Sequence, residues 1–165
     1  MDAEPLLAEV GEALLKVGLE TVLIGNAAAA LQGAPVTTVD FDFLFRRTTR
    51  NLQKLKALAT ELRGTLLRPY YPASDLFRLV RDEDGLQVDF MGTVHGLRSF
   101  EGVRDRATII TVGRVPVRVA TLADVVRSKR AARRPRDLAV LDVLEKALEE
   151  SERTAREASR PRARE

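Results

Sequence analysis

A chain of 165 residues, 45% hydrophobic and 31% charged, has the length and composition of one globular domain and is too short for two full ones. Its 27 basic and 24 acidic residues leave a formal charge of only +3, so a polyanion-binding surface would have to come from where its 22 arginines and 5 lysines sit. The absence of cysteine and the single histidine exclude disulfide frameworks, thiolate metal sites, cysteine nucleophiles and multi-histidine centres, which leaves carboxylates, hydroxyls, lysine and arginine to carry any chemistry.

Residues 3–17 place Leu6, Val10, Leu14 and Val17 at helical spacing between acids, which predicts an amphipathic helix ended by Gly18. The run ETVLIG predicts a short strand stopped by Gly25, and the alanine-rich NAAAALQG after it a helix closed by Gly33. In TTVDFDFLF, Val39, Phe41, Phe43 and Phe45 alternate with Thr38, Asp40, Asp42 and Leu44, the pattern of a half-buried strand with two acids on its open face. Leu52, Leu55, Leu58, Ala59 and Leu62 predict a helix over 50–62, before the region of Pro69 and Pro72. DLFRLVRDEDGLQVDFMG reads as a hairpin joined at Asp84-Gly85, with Val88 and Phe90 turned one way and Asp89 the other. Residues 107–119 read as a second hairpin turning at Gly113-Arg114, with Pro116 favouring an edge strand. Thr121 can cap a helix from Leu122 to Ala132, and Pro135 suits the first turn of a last helix through DLAVLDVLEKALEE. Residues 1–150 are thus expected to form one domain, and the polar segment 151–165 a flexible tail. No apolar run reaches the length of a membrane-spanning helix and the opening MDAEPLLAEV is acidic, which reads as a cytoplasmic protein without a membrane partner.

The chemistry-bearing pattern is Gly25-Asn26 at a strand-to-helix turn, Asp40-x-Asp42 fourteen residues beyond Asn26, and Asp89 on a later strand. Alternate residues of a strand lie ~7 Å apart at Cα on one face, close enough for both carboxylates to share divalent cations. If the Asp89 strand is their neighbour, three acids converge, and a cation such as Mg²⁺ would offset their repulsion. A glycine turn opening a helix lets backbone N–H groups approach a phosphate. Farther on, RSKRAARRPR (127–136) holds six basic residues and no acid, a phosphate- or RNA-contacting segment or a solvated basic face. His95, with no second histidine, reads as a loop residue.

In this order LIGNAAAALQG, TTVDFDFLF and LQVDF resemble the DNA polymerase β-type nucleotidyltransferase superfamily. The ending VATLADVVRSKRAARRPRDLAVLDVLEKAL is similar to that of small bacterial nucleotidyltransferase-like proteins related to the AbiEii and MenT toxins. The resemblance spans roughly residues 20–148 and implies an α/β (α+β) fold, a mixed β-sheet flanked by helices with a C-terminal helical segment. It implies that Asp40, Asp42 and Asp89 bind Mg²⁺ or Mn²⁺ and that Asp89 also favours deprotonation of the acceptor hydroxyl. Gly25 and Asn26 would hold the triphosphate, with Lys129 as a further contact and Arg133 or Arg136 as helpers. Asn26 stands where relatives carry serine or glycine, and Asp137 matches their acid after Arg-Pro-Lys. The implied activity is transfer of a nucleoside monophosphate from an NTP to a hydroxyl of tRNA or another RNA, of a protein side chain or of a small aminoglycoside-like molecule, with RNA favoured by the basic segment. A toxin role with an antitoxin partner is also implied. The alternative is a nucleotide- or RNA-binding module of the same fold that is weak or inactive as a catalyst.

Overall fold

The computed structural model describes residues 3–38, 40–68 and 75–161. Helix α1 (Ala3–Val17) buries Leu7, Val10, Ala13 and Leu14. Strand β1 (Thr21–Ile24) runs directly into α2 (Gly25–Leu31), whose three central alanines are small enough to lie flush against the sheet. Strand β2 (Phe41–Phe45), α3 (Thr49–Glu61), β3 (Thr65–Leu67) and the hairpin β4 (Leu76–Arg81)–β5 (Leu86–Met91) follow. After α4 (Phe100–Arg106) come the hairpin β6 (Thr108–Val112)–β7 (Val115–Val119), then α5 (Leu122–Ala132) and α6 (Pro135–Ala158). No helix among the described residues is long and apolar enough to cross a membrane.

The seven strands form one mixed sheet in the order β3-β4-β5-β2-β1-β7-β6. β2 is antiparallel to β1 and parallel to β5, which makes it the centre of the sheet. Phe43 stacks on Phe90 across the β2/β5 pair with ring centroids 5.6 Å apart, and Phe45 meets the same ring edge-on at 6.2 Å. This aromatic column fixes the register that sets Asp42 against Asp89.

The expected elements from α1 to β2 form, but β2 differs from a half-buried strand. Leu44, on the face expected to be open, is 2% exposed, because a central strand of a mixed sheet is covered on both sides. β2 begins at Phe41, so Asp40 lies in the bend before it, while Val39, Pro69 and Pro72 fall outside the described residues. Pro116 does not mark an edge, since β7 lies between β1 and the true edge strand β6. The proline is tolerated because β7 meets β1 at Val119, opposite Leu23, three residues past it. The last helix continues through the first part of the expected tail to Ala158, with 151–158 exposed throughout. Opposite charges four residues apart, Glu149 with Arg153 and Glu152 with Arg156, support that polar extension.

Candidate active site

The floor of the site is laid where β1 becomes α2. Gly25 adopts φ +71°, and a Cβ there would lie 2.9 Å from Asp42 Oδ2, closer than real contacts come. The position therefore takes glycine for its backbone angle and to leave space for a carboxylate. Asp42 sits opposite Ile24 on β1 and beside Asp89 on β5. Burial, and after it the charge of Asp89, push the Asp42 carboxyl up to about 6, against the opposing pull of Lys129 and Arg136. Its carboxylate has no ion-pair partner among the described residues. Asp40 lines the same cavity from the bend. There the Thr38 hydroxyl donates to the Asp40 carbonyl at 2.6 Å and accepts from the Asp40 N–H at 3.3 Å.

Asp89 is held differently from the other two acids. It is 7% exposed, and its cross-strand neighbour Arg78 donates from Nε to Oδ1 at 2.8 Å and from Nη2 to Oδ2 at 3.0 Å. This fork answers the charge of Asp89 inside the sheet. The three carboxylates expected to share cations are therefore not equivalent. Asp40 and Asp42 present unpaired oxygens to the cavity, and among the described residues no three acidic or histidine side chains gather closely enough to hold a metal by themselves. Two carboxylates with room for phosphate oxygens and water still form a donor set that suits Mg²⁺ or Mn²⁺.

The opposite wall is basic and comes from the junction of α5 and α6. Asp137, fully buried in the first turn of α6, accepts from Lys129 Nζ at 3.2 Å and from Arg134 Nε at 2.6 Å. These bonds and the two lysine and arginine charges hold the Asp137 carboxyl below its ordinary range despite its burial. Asp137 thus holds Lys129, and both Lys129 and Arg134 line the cavity with Arg136. Arg133, expected as a helper, is not among the cavity's lining residues: it ends α5 in the left-handed conformation, φ 52°, and is exposed. Arg134 takes the place expected of it.

The cavity between these walls has a volume of about 520 Å³. Asn26 faces it, and the Asn26 Oδ1 is buried with no hydrogen-bond partner among the described residues. A buried polar atom left unmatched is costly, so this oxygen takes a donor from water or from a bound group in the cavity, unless the amide turns over and presents its NH₂. His95 also lines the cavity, carried on a loop as expected.

Two cavity-lining side chains were not singled out from sequence, Arg78 and Arg134. A two-residue turn at Asp84-Gly85 would set Val80 against Asp89, whereas the actual four-residue turn 82–85 sets Arg78 there. The signal was the hairpin's register rather than any motif. For Arg134 the signal was Asp137, a capping acid three residues on.

No protein-family model matches the chain, and no curated protein matches it. Solved structures do. The antibiotic-resistance factor ANT(2″)-Ia superposes with a TM-score of 0.63 at 15% identity, over 90% of this chain and 86% of that one. The lincosamide antibiotic adenylyltransferase LnuA, solved with lincomycin bound, gives 0.61 at 10% identity over 88% and 96%. The candidate nucleotidyltransferase TM1012 of Thermotoga maritima gives 0.59 at 18% identity over 88% and 92%. The chain has the nucleotidyltransferase fold. At such identities the likeness is one of fold, so function has to be argued from the site.

Proposed function

We propose that the protein is a divalent-metal-dependent nucleotidyltransferase that moves a nucleoside monophosphate from an NTP to an acceptor hydroxyl. The observation that carries this is the pairing of Asp42 with Asp89 beside a glycine whose missing side chain makes room for the Asp42 carboxylate, across a cavity from Lys129 and Arg136. Asp40 and Asp42 hold Mg²⁺ or Mn²⁺, which when bound supplies charge stabilisation to the phosphoryl oxygens. Gly25 and Asn26 lie under the phosphates, and Lys129, Arg134 and Arg136 offset the charge that builds on the departing pyrophosphate. The acceptor oxygen bonds to the α-phosphorus as the bond from that phosphorus to the bridging oxygen breaks, and pyrophosphate leaves with the electron pair. Asp89 receives the hydroxyl proton. Arg78 fixes its orientation, and each of its oxygens keeps a lone pair beyond the arginine bond.

The acceptor is best read as RNA, tRNA included, on the strength of the basic segment 127–136. Two of the fold neighbours are named for antibiotics, which makes a small hydroxylated molecule the other acceptor to screen, followed by a protein side chain. Use as the toxin of a toxin–antitoxin pair follows from the resemblance alone, and growth arrest on expression, relieved by Asp42→Asn, is its test. A second reading, a nucleotide- or RNA-binding module with little turnover, is favoured by the Arg78–Asp89 pair, which occupies both oxygens of the base.

Calorimetric titration of each NTP with and without Mg²⁺, beside a folded Asp42→Asn variant, separates these readings. We expect Mg²⁺-dependent binding that the variant loses by tenfold or more, and transfer of label from the bound NTP. Binding without transfer to any acceptor supports the module, and no binding of any NTP overturns the transferase and leaves the module only as an RNA binder.

A further inference from the structure

A second pocket, of about 390 Å³, lies next to the first and has no part in the chemistry above. It is lined by Gly96, Arg98, Ser99, Gly102, Arg106 and Arg127. Three of its six residues are arginines and none is acidic. The buried Asp124 accepts from Arg106 Nε at 2.9 Å and from Arg127 Nη1 at 3.4 Å, so one carboxylate answers two guanidinium groups. Arg98 is exposed and has no partner among the described residues. Two formal positive charges are left facing solvent in a concave pocket, an arrangement that costs repulsion unless an anion uses it.

The two cavities share a wall. Val94 and Leu97 close a tight turn by a backbone bridge; His95 faces the first cavity and Gly96, Arg98 and Ser99 the second. That turn is fastened to α5, because Gly96, at φ +76°, is packed so closely that a Cβ would lie 2.7 Å from Ala131 Cβ and 2.9 Å from the Arg127 carbonyl. α5 serves both sides, giving Ser128 and Lys129 to the first cavity and Arg127 to the second. Four of the six basic residues of 127–136 are thus divided between the two cavities, Lys129, Arg134 and Arg136 beside the carboxylates that would hold a metal and Arg127 in a site without acidic lining residues.

We infer that the second pocket binds a backbone phosphate of a nucleic-acid acceptor strand whose reacting hydroxyl lies in the first cavity. Planar guanidinium groups bind phosphodiester oxygens in pairs, and they carry position rather than sequence, which suits an acceptor held by its backbone. The inference rests on the nucleotidyl-transfer reading only for placing the strand's reacting hydroxyl in the first cavity; the pocket's affinity for phosphodiester does not depend on it.

The test is binding of a fluorescent single-stranded RNA to the full chain over a series of salt concentrations. Wild type is compared with Arg98→Glu and Arg98→Ala/Arg127→Ala, both of which leave Arg106 on Asp124 and so spare the buried acid. NTP calorimetry and thermal melting on the same samples check the first cavity and the fold. We expect the RNA affinity of both variants to fall by tenfold or more, with NTP binding and melting unchanged. We also expect the slope of log K against log salt to drop by about 0.7 per arginine removed, the value for a single strand. Unchanged RNA affinity and slope overturn the inference even where NTP binding stands, and weaker RNA binding stands for it even where the wild type binds no NTP. Inorganic phosphate is the control ligand. If phosphate binds wild type and not the variants while the RNA affinity of wild type and variants is the same, the pocket takes a small anion only and the acceptor-strand inference fails.

Discussion

Two arginines three residues apart on β4, Arg78 and Arg81, meet opposite solutions to the same problem of charge in a folded chain. Arg81 is 6% exposed and spends all five donors: Glu9 takes two bonds at 2.7 and 2.9 Å, Asp84 two at 3.0 and 2.7 Å, and the Leu62 carbonyl one at 2.9 Å. Around it the carboxyls of Glu9 and Asp84 are held below their ordinary range, chiefly by their hydrogen bonds to Arg81. Arg78 satisfies Asp89 alone and leaves the neighbouring Asp42 without a partner, its carboxyl pushed above its ordinary range. The first region spends its charges on stability. The second keeps one unmet, together with the orphan oxygen of Asn26, which is what a site that expects a charged ligand looks like.

The strongest way to sharpen that contrast is to cut the arginine that has no ligand to wait for. Arg81→Ala removes a buried hub that ties α1, the end of α3 and the β4–β5 turn, and we expect a loss of about 3 kcal/mol in denaturant unfolding. Arg81→Met, which keeps the packing of the side chain's stem, should cost less, and Mg²⁺-dependent NTP binding should survive in either variant. If Arg81→Ala left stability unchanged, the view of this region as purely structural would fail.

The same contrast explains what the sequence disclosed. Long periodic helices, the glycine-ended β1 and the Leu122–Ala132 helix with its Thr121 cap form where spacing placed them, since those signals are local. β3 and α4 went unseen, at three and seven residues too short for a period to declare itself. Gly25, Asn26, Asp40, Asp42, Asp89, Lys129 and Arg136 do meet in one cavity. What stayed hidden depends on register and on single backbone angles. A turn two residues longer brings Arg78 instead of Val80 to Asp89, and one left-handed residue at Arg133 decides which of six similar basic residues enter the cavity.

A smaller effect is expected from pH, and its sign separates the regions. The Asp42 carboxyl titrates near 6 in the folded chain against an ordinary 3.8, so between those values the folded state holds a proton that the unfolded state has lost. The resulting penalty is absent below about pH 4, grows as pH rises toward 6 and stays at its full size above it. At most about 3 kcal/mol is involved. Glu9 and Asp84 act in the reverse sense, stabilising above the ordinary carboxylate range and losing that as pH falls. Asp42→Asn should flatten the Asp42 window and raise the metal-free melting temperature at pH 7.5 by about 4–8 °C. Added Mg²⁺ should stabilise the wild type and leave the variant unmoved. A variant that melts at the wild-type temperature across pH 4–8 would show that Asp42 is as well satisfied as the acids around Arg81.

The finest test works on the neighbour that moderates Asp42 without touching the cation. Removing the guanidinium in Arg78→Ala leaves Asp89 unneutralised one strand away, and two adjacent carboxylates cannot both ionise without cost. The titration midpoint of Asp42, followed by carboxyl carbon NMR in metal-free protein, should then move above its wild-type position near 6. Arg78→Lys keeps one positive charge but gives up the planar fork, so its midpoint should lie between wild type and Arg78→Ala. Substituting Arg81 in the same experiment should leave the Asp42 midpoint where it was, because the charges Arg81 answers are those of Glu9 and Asp84. An Asp42 midpoint indifferent to Arg78 but sensitive to Arg81 would reverse the roles assigned to the two arginines. It would also mean that the sheet tunes its unpaired carboxylate by some path other than the strand next to it.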